Sequence, residues 1–299
     1  MSRLSDNTRG ALLMMASMAS FTLNDASVKA IGEAIPLAQL LVLRGAFASL
    51  FIAVLAWRLS ALRFALSRRD WILVLLRAGA EVAASFFFLT ALRHMPLANV
   101  TALLQMLPLT LTLGSALFFA EPVGWRRWVA IAAGFAGMLL IVRPGTEGFS
   151  LYSVYALIAV FCVTLRDLVT RRMSAGVPSL TVTLISSVAV VLFGLVWSLN
   201  TPWMPMTPRV SLLVAATVLF IMSGYSLSVL VMRVGAVSFT ALFRYTGLVW
   251  ALVLGFVLFG DWPQPLTLTG AAIIVATGLF TLWREGQIRR RAQAKTRRT

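Results

Sequence analysis

Ten runs of predominantly apolar residues follow one another along this chain, separated by short connections. They lie at about 10–30, 37–57, 71–92, 97–119, 126–142, 152–170, 180–199, 210–232, 235–259 and 266–283. A helix needs about 20 apolar residues to cross hydrocarbon, whereas a barrel strand needs about 10. In hydrocarbon every backbone polar group must bond within its own segment or to a neighbouring strand, so runs of this length can only be helices. The composition agrees. Hydrophobic residues make up 60% of the chain, charged residues 12%, and the mean hydropathy is +0.89. No soluble domain of this size could bury that much apolar side chain. The expected fold class is therefore an all-α polytopic membrane protein with ten transmembrane helices and lipid as its main solvent. The first run has no short apolar core ending in a small-residue cleavage site, so it reads as an uncleaved first helix.

The basic residues set an orientation. With ten spans both termini face one side, and 18 of the 26 Lys and Arg residues lie on that side. The opposite side holds Arg93, Arg143 and Arg209, and five more lie within spans or at their ends. Basic residues collect in cytoplasmic loops, so the N-terminus and the C-terminus are expected in the cytoplasm. A net charge of +16 would suggest nucleic acid in a soluble chain, but here it marks topology. The 287–299 tail reads as a basic cytoplasmic anchor. Cys162 and His94 are each the only residue of their kind and lie far apart, so neither a disulfide, a metal site nor a cofactor is expected.

The chain repeats itself. Asp25-x3-Lys29-x6-Pro36 recurs as Asp167-x3-Arg171-x6-Pro178, and Thr101-Ala102-Leu103 as Thr240-Ala241-Leu242. The acid closing each fourth helix also recurs, Glu121 before Pro122 and Asp261 before Trp262-Pro263. The halves are 1–143 and 150–286, with five helices each. An odd number inserts the halves with opposite orientation, an architecture of secondary transporters whose site lies near the midplane. Breakers at matching positions point to that site, and Pro108 falls on Gly247 at the second offset.

Ionisable groups inside spans are costly and are functional candidates. Asp25 and Lys29 sit one turn apart and read either as a gate and proton site or as an ion pair between helix ends; Asp167 and Arg171 mirror them. Arg77 and Glu81 are also one turn apart and are expected to pair. Arg44 either meets a carboxylate or binds an anionic or carbonyl group of the substrate. Arg244 lies near mid-membrane beside Gly247, with Gln105 as its mirror. Substrate is expected to touch Arg44, Gln105, Pro108, Arg244 and Gly247. Asp25, Glu81 and Asp167 are the expected proton carriers, with Lys29 in the gate. Small residues fill the fifth and tenth helices (Gly134, Gly137, Gly270, Gly278), which suits a scaffold or a homodimer face. Glu121 and Asp261 precede these helices and are expected to act on their N-terminal dipoles. The aromatics Phe86, Phe87, Phe243, Tyr245, Trp250 and Tyr225 either stack on a planar substrate or pack.

The segment Phe21-x2-Asn24-Asp25-x3-Lys29-x6-Pro36-x2-Gln39-x4-Arg44, together with Glu121-Pro122 and the glycine-bearing fifth and tenth helices, resembles the EamA family of the drug/metabolite transporter superfamily. That resemblance implies a ten-helix, two-repeat carrier in the bacterial inner membrane that moves small organic metabolites by alternating access. The segments Arg126-Arg127 through Ile141-Val142-Arg143-Pro144-Gly145-Thr146-Glu147-Gly148-Phe149 and Arg166-Asp167-x3-Arg171-Arg172 are similar to the alphaproteobacterial branch that includes riboflavin transporters. This makes riboflavin the first substrate to consider and amino acids or other metabolites the alternative. A membrane enzyme is disfavoured by a single histidine and no catalytic cluster, and a channel by the lack of a filter sequence.

Overall fold

The computed structural model describes residues 6–59, 61–121, 123–145, 149–234 and 237–296. Pro122 and the Thr146-Glu147-Gly148 segment lie outside them, as do Arg3, Arg297 and Arg298 of the 18 basic residues and the side chains of Arg233 and of the tail from residue 288. All elements among the described residues are helical. In chain order they are α1 (Asp6–Ile31), α2 (Leu37–Arg58), α3 (Arg68–His94), α4 (Leu97–Leu104), α5 (Leu107–Phe119), α6 (Trp125–Val142), α7 (Leu151–Arg171), α8 (Ser179–Ser198), α9 (Pro208–Val234), α10 (Val237–Thr240), a 3-10 segment (Ala241–Tyr245), α11 (Thr246–Phe259) and α12 (Pro265–Thr296).

Nine helical spans among the described residues are long and apolar enough to cross a membrane, counting α4 with α5 as one. The helix α1 is long enough at 26 residues but less apolar. Its polar side chains Ser17, Thr22 and Asn24 are buried against protein, not left to lipid. The chain is a multi-pass membrane protein. Helix α12 continues to Thr296, well past the expected end near residue 283. Arg, Ala, Gln and Lys there are good helix formers.

Local chemistry sets the helix ends. Pro36, Pro96 and Pro178 each immediately precede a helix, where a missing N–H is harmless. Ser67 caps α3 by accepting from the Asp70 N–H at 3.1 Å and donating to Asp70 Oδ2 at 2.7 Å, a reciprocal cap. Asp70 also accepts from the Ser174 N–H at 3.1 Å, fixing the α7–α8 turn to the start of α3. Helices α5 and α11 close alike. Ala120 (φ 51°) and Gly260 (φ 69°) are left-handed, and the N–H groups of Glu121 and Asp261 reach back six residues to Ser115 and Gly255. Each helix thus ends on a left-handed residue followed by a wide backward hydrogen bond that satisfies a terminal carbonyl. Glu121 and Asp261 close the preceding helices, as expected, and α6 and α12 begin four residues later.

The helices gather into two compact units that each draw on both halves of the sequence. The first takes the described residues within 1–26, 96–150 and 223–299. In it α6 packs on α12 and α4 on α11. A Cβ at Gly137 would lie 2.8 Å from the Gly270 carbonyl oxygen, so backbone meets backbone there. These glycine faces are occupied within the chain, and a dimer through helices α6 and α12 would have to use their other faces. The second unit takes 27–95 and 151–222. In it α3 packs on α7 and α8, and α2 on α8. Gly194 allows α8 to approach α2, since a Cβ there would stand 3.1 Å from the Ala38 carbonyl. The Gln39 amide bonds both ways with the Met204 backbone, at 2.9 and 3.0 Å.

Two substitutions separate these effects. Ala120→Gly relieves a left-handed alanine and is expected to stabilise by about 0.5–1 kcal/mol. Gly137→Ala is expected to destabilise by about 1–3 kcal/mol through overpacking. Thermal melting of purified protein in detergent checks both: the first raises the midpoint, the second lowers it.

Candidate functional site

The fourth span is interrupted where Pro108 predicts. Residue 108 has no N–H, so the Leu104 carbonyl loses its partner four residues on. The chain tightens in response. Gln105 and Met106 donate to Ala102 and Leu103, three residues back, at 3.2 and 3.1 Å. The other interruption, the 3-10 segment Ala241–Tyr245, uses the same i to i+3 bonding. Residues 105 and 106 fall on 244 and 245 at the offset of 139. Here the Phe243 carbonyl, the counterpart of Leu104, accepts from the Thr246 hydroxyl at 2.6 Å. Each interruption lies about a third of the way along its span from the N-terminal end.

Both interruptions lie in the first unit, and α1 lines them. Ser17, Met18, Phe21 and Thr22 share one face of α1 by their spacing. Thr22 Oγ1 donates to Met18 O at 2.8 Å and lies 3.5 Å from the Gly247 carbonyl. A Cβ at Gly247 would come within 3.7 Å of Gln105 Nε2 and 3.8 Å of Met18. Gln105 and Gly247 are therefore brought together. Ser17 donates to the Gly224 carbonyl at 2.9 Å and pairs with the Ser228 hydroxyl at 2.8 Å. Phe21 and Tyr225 meet edge to face at 5.3 Å. Arg244 is exposed on the 3-10 segment, and Pro108 is half-buried. Asp25 accepts from the Asn24 amide at 2.8 Å. The result is a polar, mostly uncharged centre with one exposed guanidinium and an aromatic pair. Ser17, Phe21, Thr22, Gly224 and Ser228 were missed from sequence. The i, i+4 spacing of Ser17–Phe21 and Met18–Thr22 was the signal for α1; Gly224-x3-Ser228 gave none pointing to α1. A separate groove of about 400 Å3 on α4, α11 and α12 is lined by Ala98, Ala102, Leu248, Leu252 and Ala276. It is apolar and excludes the residues just described.

The second unit holds the other candidates. Arg166 of α7 donates through Nη1 to Glu81 of α3 at 3.2 Å and through Nε to Asp167 at 2.8 Å. Arg77 stands 4.0 Å from the same Glu81 carboxylate; it donates to Thr170 Oγ1 at 3.1 Å and to the Ser186 hydroxyl. The Arg77–Glu81 pair expected from spacing is present, and Arg166 adds a closer contact to the same carboxylate. Lys29 donates to the Met95 carbonyl at 2.7 Å and Arg93 to Ile35 O at 3.2 Å, tying the α1–α2 turn to the end of α3. His94 stacks on Tyr152 at 4.0 Å, with Nε2 3.5 Å from Glu33. Arg44 is half-buried on α2, one residue before Gly45, which packs on Val191 of α8. Phe86 and Phe87 contact Phe193, Trp197 and Tyr155, so they pack against other rings. Among the described residues no three His, Cys, Asp or Glu side chains cluster as metal ligands do.

Known proteins resemble this chain throughout. A family model described as the EamA-like transporter family matches residues 8–143. A riboflavin transporter of Vibrio cholerae is 31% identical over 219 residues, covering 72% of this chain and 73% of that one. A pseudopaline exporter of Pseudomonas aeruginosa is 29% identical over 277 residues, 89% and 93%. An S-adenosylmethionine uptake transporter of Rickettsia bellii is 25% identical over 195 residues, 64% of this chain and 65% of its own length. A crystal structure 18% identical covers 92% of this chain and 97% of its own with a TM-score of 0.62, a likeness of fold.

Glu81→Ala leaves two guanidiniums without their shared carboxylate. Losing one partner of a fully buried pair costs about 3–5 kcal/mol. Glu81 and Arg166 are 22% and 24% exposed, which lowers the expected loss to about 1–3 kcal/mol. Removing Arg166 as well is expected to recover part of it in a thermal melt; equal or larger loss in the double variant would show the network contributes no coupling. At the other centre a single Cβ on Gly247 makes ordinary contacts. Gly247→Ala is expected to keep transport and Gly247→Leu, which projects toward Gln105 and Met18, to lower it in an uptake assay.

Proposed function

We propose that this chain, which belongs to the EamA-like transporter family, is a secondary carrier that moves a small organic metabolite across the bacterial inner membrane by alternating access, with riboflavin as its substrate. The observation that carries the reading is the pair of interruptions at matching positions in the fourth and ninth spans, which brings Gln105 beside Gly247 against a polar face of α1. Broken helices at corresponding places of two repeats are the best pointer to a carrier's site. The same register supports the two five-helix halves, 1–143 and 150–286, as inverted repeats, with both termini cytoplasmic.

In this reading substrate meets Gln105, Gly247, Arg244 and the face opened by Pro108 in the first unit; Arg44 of the second unit is the other guanidinium proposed for substrate and is tested by itself. The Phe21–Tyr225 pair and the hydroxyls of Ser17, Thr22 and Ser228 suit a planar ring bearing polar groups. A second reading, a substrate with a carboxylate such as an amino acid, is favoured by the exposed guanidinium of Arg244, whose planar fork matches two oxygens. Coupling to protons would run through Asp25, Glu81 or Asp167. Glu81 and Asp167 both hold Arg166, so neutralising either breaks an ion pair; Asp25 is the first to test, with Lys29 one turn away as its gate partner.

Labelled riboflavin uptake by a riboflavin-auxotrophic bacterium tests the reading. Saturable uptake is expected, and Arg44→Ala and Arg244→Ala are expected to abolish it with protein still in the membrane. Absence of uptake at good expression would remove riboflavin and turn the search to carboxylated metabolites and to export. Asp25→Asn is expected to remove the pH dependence of transport; full pH-dependent transport by that variant would exclude Asp25 as the carrier.

A further inference from the structure

Gly278 on α12 lies under the last residue of the 3-10 segment. A Cβ built at Gly278 would overlap the hydroxyl and ring of Tyr245, so the ring is seated on bare helix backbone. Tyr245 is 6% exposed. Its hydroxyl is buried and finds no hydrogen-bond partner among the described residues. Nearby hydroxyls behave otherwise: Thr246, Thr277 and Thr281 each donate to a helix carbonyl, at 2.6, 2.8 and 2.8 Å. An unbonded buried hydroxyl is unfavourable, so fit in the glycine notch holds the ring. The first half has the same device. Leu109, just past the other interruption, occupies the space a Cβ at Gly134 of α6 would need.

Successive residues of a 3-10 helix point about 120° apart. With Tyr245 seated against α12, its neighbour Arg244 is turned away from that helix, and it is the exposed residue of the segment. We propose that Tyr245 is a positioning residue: docked in the Gly278 notch, it sets the rotation of the 3-10 segment and hence the direction of the Arg244 guanidinium. The inference rests on the reading of Arg244 as a site residue, but its test needs no substrate.

The test uses the full chain in nanodiscs, with Cys162→Ser and Arg244→Cys, and measures how fast a charged thiosulfonate labels the introduced thiol. Gly278→Ala is expected to change the labelling rate severalfold. Tyr245→Phe, which keeps the ring, is expected to leave it near the parental value. Tyr245→Leu empties the notch, so adding Gly278→Ala to it is expected to change nothing further. A parental labelling rate in Gly278→Ala, or effects of the two substitutions that simply multiply, would overturn the proposal. Should Gly278→Ala fail to reach the membrane, the membrane level becomes the readout: recovery on adding Tyr245→Leu supports the notch, and no recovery overturns it. Failure of riboflavin uptake alone leaves these labelling outcomes unchanged.

Discussion

Hydrocarbon offers a backbone N–H or C=O nothing to bond to, and each one left unbonded costs several kcal/mol. This forces every apolar run into helix and makes any interruption of a span informative. The two interruptions here are built at small cost. Shifting from i to i+4 to i to i+3 bonds keeps Gln105, Met106 and the 3-10 segment satisfied. Pro108 deprives the Leu104 carbonyl of its usual donor, and at the matching place the Thr246 hydroxyl covers the Phe243 carbonyl. Two different sequences, one with proline and one with threonine and glycine, thus arrive at the same local geometry at the same depth of their spans. Packing alone would not require that agreement, whereas a shared role for the two segments would.

The same constraint governs charge. An ion within a low-dielectric interior is retained only when paired and hydrogen-bonded. The second unit does this with two guanidiniums and two carboxylates, all but one of the four side chains less than a quarter exposed. Arg166 of α7 reaches α3, and Arg77 of α3 reaches Thr170 of α7 and Ser186 of α8, so the network fastens three helices as well as neutralising four charges. The first unit is built differently, from hydroxyls, an amide, carbonyls and an aromatic pair. Its interactions are individually weak, and Arg244 is held outward on a segment that already departs from α-helical bonding.

Much of this was legible in the sequence, for reasons that can be named. Apolar run length marked the spans, and Pro36, Pro96 and Pro178 marked three helix starts. Pro108 pointed to one interruption because proline acts on its own helix, and the repeat carried the inference to the other. What stayed hidden depends on partners far apart in the chain. Spacing gave the Arg77–Glu81 pair, but nothing local gave Arg166, 85 residues away, which comes closer to the same carboxylate. Nothing local links Ser17 to Gly224 and Ser228, over 200 residues on. The acids Glu121 and Asp261 close their helices as the repeat suggested, but the left-handed residue before each, an alanine in the first half, had no such signal.

The glycines of α6 and α12 show how one composition can serve two purposes. Small residues at four-residue spacing read as a surface for close helix contact, and Gly137 against Gly270 is such a contact. Gly134 and Gly278 are not. Each accepts a side chain from next to an interruption, Leu109 in one case and Tyr245 in the other. The paired helices α6 and α12 therefore lock to each other through one set of glycines and grip the interrupted spans through another. A side chain at the first set would separate the pair, whereas one at Gly278 would first meet Tyr245 and one at Gly134 would first meet Leu109, with Thr277 of α12 next. Each set has one glycine on each helix, so only the identity of the neighbour distinguishes a scaffold position from one that bears on the site.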